Sequence, residues 1–223
     1  MTAGTGGPPA GSPAQASLLA PVASYYSQKI REHGATPLGV DWSCEPTQKM
    51  RFVQLLKLCD FSEGFSLNDV GCGYGALLSH LSQRHPRHPV DYLGTDLSRE
   101  MIAAAARRWS RRRSARFEVG RDTLRLADYS IASGIFNVKL DAADDEWERA
   151  IGQSLLRMRA DSRKGLAINF IREPGPAQSK VPQLYYAQPQ RWTSHCEKHL
   201  DVDAEIVEGY GMREFTLLMR CRG

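Results

Sequence analysis

The stretch Phe65-Ser66-Leu67-Asn68-Asp69-Val70-Gly71-Cys72-Gly73-Tyr74-Gly75-Ala76 changes character midway, from a short strand pattern to three alternating glycines. Glycine removes Cβ atoms where a backbone must turn tightly and come close to a ligand. The next strand pattern, Val90 to Thr95, ends at Asp96, 21 residues after Gly75. In open α/β sheets the ligand crevice lies at the carboxyl ends of the strands. The loop and the acid therefore face the same crevice. A carboxylate there can accept hydrogen bonds from both ribose hydroxyls of an adenosine cofactor. Either feature alone is weak. A glycine loop that follows a strand and opens a helix, with an acid ending the second strand, is specific.

Strands and helices alternate downstream of this loop. A helix is expected over 76–84. An Ala-rich helix follows over 98–113, with Ser98 as its N-cap. Strands are expected over 115–119 and 129–136, a helix capped by Asp144 over 144–159, a strand over 165–171 and a helix over 188–200. Two closing strands, 204–208 and 213–219, are joined by a link at Gly209 to Gly211 too short for anything but an antiparallel hairpin. Such alternation implies a mostly parallel, doubly wound sheet.

Upstream, Leu18, Leu19, Val22, Tyr25, Tyr26 and Ile30 recur at helical spacing and predict a helix over 17–33, stopped by Gly34. Pro46 opens a second helix at its first turn, with Met50, Val53, Leu55, Leu56 and Leu58 on its apolar side. Residues 1–16 carry no large apolar side chain beyond Met1 and read as a flexible tail. The expected organisation is a tail over 1–16, a helical cap over 17–60 and an α/β domain over 61–223.

Composition narrows the function classes. A chain of 223 residues with 42% hydrophobic and 24% charged residues suits one soluble α/β domain. No apolar run approaches the roughly 20 residues that span a bilayer. Cys44, Cys59, Cys72, Cys196 and Cys221 are odd in number and unpaired in spacing, which argues against a disulfide framework or zinc site and for a cytoplasmic setting. The net charge of +4 is too mild to imply nucleic acid. The run Arg107, Arg108, Arg111, Arg112, Arg113 and Arg116 reads as the solvated face and C-terminal end of a helix.

Gly71, Gly73 and Ala76 also satisfy a dinucleotide fingerprint, so an NAD-dependent oxidoreductase is an alternative. Asp69 before the first glycine, and a closing hairpin soon after the fifth strand, weigh against it. A non-catalytic binding module of the same fold is a third reading, opposed by the intact glycines and Asp96.

Over about residues 46–220 the sequence resembles the class I S-adenosylmethionine-dependent methyltransferases. Asp69 to Gly75 matches the family's D-x-G-x-G-x-G motif. Tyr92 to Ser98 matches its second motif, ending in the ribose acid Asp96. The resemblance implies a Rossmann-like, seven-stranded sheet with a C-terminal antiparallel hairpin and an N-terminal helical cap. It implies S-adenosylmethionine as cofactor and a small-molecule acceptor methylated on oxygen or nitrogen, with no nucleic-acid or membrane partner. Gly71, Cys72 and Gly73 would lie against the cofactor, and Leu97 would pack on the adenine. Gly120-Arg121-Asp122 departs from the family's G-D pair and leaves either Arg121 or Asp122 facing the base. Ser133 to Asn137 resembles the loop beside the transferred methyl. In the cap, Tyr25, Tyr26, Trp42 and Arg51 are candidates. The resemblance gives a tyrosine and Arg51 to the methionine end of the cofactor, Arg51 as partner of its carboxylate. Packing tyrosines and a surface Arg51 are the plainer readings. Cys72 is implied to be a loop filler, because methyl transfer from a sulfonium needs no enzyme nucleophile. His33, His195 and His199 read as surface or capping residues, and Asp141, Asp144 and Asp145 as helix-start charges rather than a metal site.

Overall fold

The computed structural model describes residues 13–42, 44–121, 125–175 and 179–222. The chain forms α1 (Pro13–His33), a 3₁₀ turn (Pro37–Val40), α2 (Glu45–Leu55), a second 3₁₀ turn (Leu56–Leu58), β1 (Phe65–Val70), α3 (Ala76–Arg84), β2 (Val90–Asp96) and α4 (Arg99–Arg108). It continues through β3 (Ala115–Val119), β4 (Ala127–Ala132), α5 (Asp144–Ala160), β5 (Ser162–Ile171), α6 (Pro189–His199), β6 (Val202–Val207) and β7 (Glu214–Cys221). The seven strands lie in the order β3-β2-β1-β4-β5-β7-β6. Strands β1 to β5 pair in parallel, and β7 runs antiparallel to both β5 and β6. The fold is the Rossmann-like, doubly wound sheet with an antiparallel C-terminal pair. Order reverses between β1 and β4, so the crevice for a ligand opens above β1.

Two apolar layers cover the sheet. On one face Phe52, Leu55 and Leu58 join Leu67, Leu77, Leu81 and Tyr92. On the other, Trp147, Ile151 and Leu155 of α5 and Trp192 of α6 close over Val70, Phe170 and Phe215. The second helix of the expected cap thus contributes to the core of the sheet. The first, α1, lies against α4, where Ser27 Oγ donates to Ser98 Oγ at 2.8 Å and Arg31 pairs with Glu100 at 3.0 Å.

Several boundaries differ from expectation for local reasons. The expected tail falls outside the described residues as far as residue 12, and the helix begins at Pro13 rather than Ser17. Helix α4 stops at Arg108 instead of Arg113. Continuing it would align Arg107 with Arg111 and Arg108 with Arg112, like charges one turn apart. The Trp109 indole N–H also donates to the Gly75 carbonyl at 3.2 Å. Arg108 and Arg112 instead reach Ser79 and Ser82 of α3. Strand β4 ends at Ala132, not Phe136, because Gly134 turns the chain with φ +75°. The N-cap of α5 is Ala143, with no side-chain capping bond, and Asp144, Asp145 and Glu146 occupy its first turn, where their charges suit the positive end of the helix dipole.

Phe170 is fully buried and stacks on Phe136 at 5.7 Å and Trp192 at 5.2 Å between ring centroids. Phe170→Ala should cost about 3–5 kcal/mol in urea unfolding, as a large aromatic cavity does. A loss under about 1 kcal/mol would show that the neighbouring rings collapse into the space.

Candidate functional site

The site begins with the backbone of the glycine loop. Gly71, Gly73 and Gly75 have φ of +72°, +54° and +79°, the left-handed region that a side chain strains. At Gly71 space is short as well, since a Cβ would sit 2.1 Å from Ile135 Cγ2. The loop is tied to β2, because the N–H groups of Gly71 and Cys72 both donate to the Thr95 carbonyl, at 2.8 and 2.9 Å. Asp96 completes the tie. Its Oδ2 accepts from the Gly73 N–H at 3.0 Å and its Oδ1 from the Ser98 N–H at 2.8 Å. Ser98 in turn caps α4 by accepting from Met101 N–H at 3.2 Å.

Electrostatically the pocket floor is acidic. Burial raises the Asp96 carboxyl to about 6 against the pull of the Ser98 and Gly73 N–H bonds. Burial raises Asp69 to about 7. The Tyr92 hydroxyl, which donates to Asp69 Oδ2, opposes the rise, and the nearby Asp96 charge adds to it. Burial pushes the Cys72 thiol well above its ordinary range, with the charges of Asp69 and Asp96 adding to it. A thiol so held is not a nucleophile at neutral pH. Cys72 packs on Gly94, where a Cβ would lie 2.7 Å from Sγ, and fills space beneath the loop.

One continuous cleft runs from this loop. Its walls bring together Tyr26, Asp69, Gly71, Cys72, Gly73, Asp96, Leu97, Arg121 and Ser133 from the sequence-derived set, along with Trp42. Asp122 lies outside the described residues. Tyr26 is an uncharged phenol, its pKa raised chiefly by burial. Tyr25 is tied away by its bond to Asp41 Oδ2 at 2.6 Å. Arg51 is 4% exposed rather than a surface charge. It is also absent from the cleft wall, and its Nε and Nη2 are committed to Glu214, with only Nη1 left without a partner. His195 and His199 stand together on α6, their rings 4.7 Å apart, outside this cleft. Among the described residues no cluster of His, Cys, Asp and Glu could hold a metal ion.

The far half of the cleft is built by Leu19, Val22 and Ala23 of α1, by Ile135 and Phe136 of the loop expected beside the transferred methyl, and by Trp147, Ile151 and Ser154 of α5. Sequence reasoning missed these residues of α1 and α5, because helical spacing marks a buried face and nothing in it separates a cleft wall from core. The Trp147 indole N–H is already bonded to the Phe136 carbonyl at 2.9 Å, and the Ser133 hydroxyl is buried with no partner.

The comparisons with known proteins agree with this geometry. Residues 68–147 match the family model described as a methyltransferase domain. A Mycobacterium tuberculosis methyltransferase homologue, Rv1506c, is 39% identical over 165 residues, which cover 74% of this chain and 98% of that protein. Among solved structures, the complex of DhpI with SAH aligns with a TM-score of 0.63 at 16% identity, covering 92% of this chain and 97% of the other. Human N-acetylserotonin methyltransferase with SAM aligns at 0.57 and 17% identity, covering 94% of this chain and 67% of the other. Fold, site and relatives define a cofactor-dependent methyl-transferring enzyme. The chain belongs to the class I S-adenosylmethionine-dependent methyltransferases, and S-adenosylmethionine is its cofactor.

Glycine-to-alanine changes separate shape from space at the loop. Gly209 has φ +78° with nothing near a Cβ, so Gly209→Ala should cost only the left-handed penalty of about 1–2 kcal/mol. Gly71→Ala adds the Ile135 clash and should cost at least about 1 kcal/mol more in thermal unfolding. Equal melting temperatures for the two variants would show that Ile135 moves freely out of the way.

Proposed function

We propose that the enzyme methylates an oxygen or nitrogen of a small-molecule acceptor, chiefly by holding it in line and excluding water. The observation that carries this reading is the continuity of the cleft, acidic and glycine-lined at one end, apolar between α1 and α5 at the other. Two of the structural neighbours, N-acetylserotonin methyltransferase and magnesium protoporphyrin IX methyltransferase of Synechocystis PCC 6803, are named for small acceptors. When bound, S-adenosylmethionine would supply an electrophilic methyl on a sulfonium sulfur, and the acceptor's lone pair would have to lie in line with that S–C bond. Holding the acceptor in that line can supply roughly 7–11 kcal/mol.

In this reading Asp96 accepts both ribose hydroxyls and Leu97 lies on the adenine, with Arg121 at its edge. Gly71 and Gly73 let the backbone approach the cofactor, and Asp69 underpins the loop from below. Tyr26 covers the methionine end. Ser133 lines the wall beside the transferred methyl, with its hydroxyl buried and unpartnered. The apolar half favours a ring or chain over a nucleic acid. Helix α1 acts as the cover that keeps water out.

Isothermal calorimetry tests the reading. S-adenosylmethionine and its demethylated product should bind with affinity on the order of micromolar, about −8 kcal/mol, and NAD should not. Binding of NAD alone would overturn it. The cleft also predicts a pH dependence. With its carboxyl raised to about 6, Asp96 is ionised above that pH and protonated below it. Affinity should therefore be full above neutrality and fall as pH drops through about 6, while the same protonation favours the ligand-free fold. Asp96→Asn should flatten Asp96's share of the binding profile, and Asp96→Ala should weaken binding by about 1.5–3 kcal/mol at pH 7.5. An unchanged profile in Asp96→Asn would take the ribose from Asp96.

A further inference from the structure

A buried chain of polar groups runs beneath the far side of the cleft. Arg51 Nε donates to Glu214 Oε2 at 2.6 Å, and its Nη2 donates to Oε1 of the same carboxylate. Glu214 Oε2 also accepts from Asn169 Nδ2 at 3.0 Å. Asn169 Oδ1 accepts from the Gly134 backbone N–H at 2.8 Å. Arg51, Glu214 and Asn169 are 4%, 6% and 0% exposed. Trp42 closes the circuit. Its ring centroid lies 3.4 Å from the Arg51 guanidinium carbon, and a Cβ on Gly134 would sit 2.5 Å from its Cζ2. Trp42, Ser133 and Gly134 line the cleft, whereas Arg51, Asn169 and Glu214 do not.

Stability alone does not explain this arrangement. A buried ion pair contributes little net stability, and apolar residues of the same volume often do as well. The Gly134 turn supplies another reason. It has left-handed φ and follows the end of β4, so no ladder bond holds its N–H. Its hold comes from the Asn169 oxygen. That amide can face only one way, because a carboxylate accepts and does not donate, so Nδ2 must point at Glu214 and Oδ1 at Gly134. Arg51 fixes the carboxylate in turn, in the two-pronged geometry that orients as well as binds.

We infer that Arg51, Glu214 and Asn169 are positioning residues, which set the Gly134 turn and Trp42 and so the wall where the methyl end of the cofactor meets the acceptor. The inference rests on the cofactor reading above. It makes Arg51 act through the turn.

An exchange of side chains tests it. Asn169→Asp places two carboxylates in contact, and Glu214→Gln leaves Arg51 without a counter-charge. The double variant restores one carboxylate, one amide, the acceptor for the Gly134 N–H and the middle link with its polarity reversed, the new amide at position 214 donating to the new carboxylate at position 169. It gives up one of the two Arg51 bonds, because an amide offers Arg51 a single oxygen. Calorimetry would use S-adenosylhomocysteine, which spans the cleft to the turn, and adenosine, which reaches only the glycine loop and Asp96. Each single variant should bind S-adenosylhomocysteine about tenfold more weakly, with adenosine unchanged, and the double variant should return to within about threefold of the parent. A purely structural role would move both ligands together or neither, and would overturn the inference, as would a double variant no better than the singles. Thermal melting scores folding first. If a single variant does not fold, the double variant decides, by binding like the parent or failing to. A parent that binds neither ligand would overturn the cofactor reading instead.

Discussion

Three left-handed glycines pressed between β1 and β2 hold this structure's site in place. Their φ values admit no side chain without strain, and Ile135 stands against Gly71. The backbone that results cannot pair as strand or helix. It is held by Thr95 and Asp96 at the end of β2. From that one constraint follow the seating of α3, the aim of Asp96, and the contact of Cys72 with Gly94. It also follows that the loop after β4 must come close, since Ile135 fills the space a side chain would take. A glycine loop here thus joins three consecutive parts of the sheet.

Much of this was legible in the sequence, because it depends on local rules. The left-handed glycines, the acid at the end of β2 and the Ser98 cap are each readable from residue type and spacing. So was the closing antiparallel pair, since the turn at Gly209 to Gly211 allows no crossover. What stayed hidden depends on partners far along the chain. Arg51 reads as a free cation until Glu214, 163 residues away, is seen beside it. Leu19, Val22, Trp147 and Ile151 carry the periodicity of buried faces, and only the fold shows that they border a cleft. Helix α4 ended early because its arginines repel at helical spacing, an effect that the Ala-rich pattern ahead of them masks.

Burial sets the chemistry of the cleft as much as residue type does. Asp69 and Asp96 are both raised toward neutrality by loss of water, and hydrogen bonds to Tyr92, Gly73 and Ser98 restrain the shift. The same desolvation silences Cys72. A carboxylate close to its own pKa, already oriented by two backbone N–H groups, is prepared for a ligand whose hydroxyls restore what water would give it. The far half carries the opposite character, since its indole is internally bonded and its walls are mostly aliphatic or aromatic.

The walls of the cleft are drawn from residue 19 to residue 154. Between those limits lie four strands of the sheet, and β1 meets β4 only when positions some 62 residues apart are brought together. A partly folded chain therefore offers the cofactor no place to sit. Ligand that binds only the finished fold draws the equilibrium toward it, by about 2.7 kcal/mol at a concentration a hundredfold above Kd. For a domain of ordinary marginal stability that is a large share of the total. The supply of methyl donor thus bears on the fraction of molecules that stays folded as well as on how fast each one works.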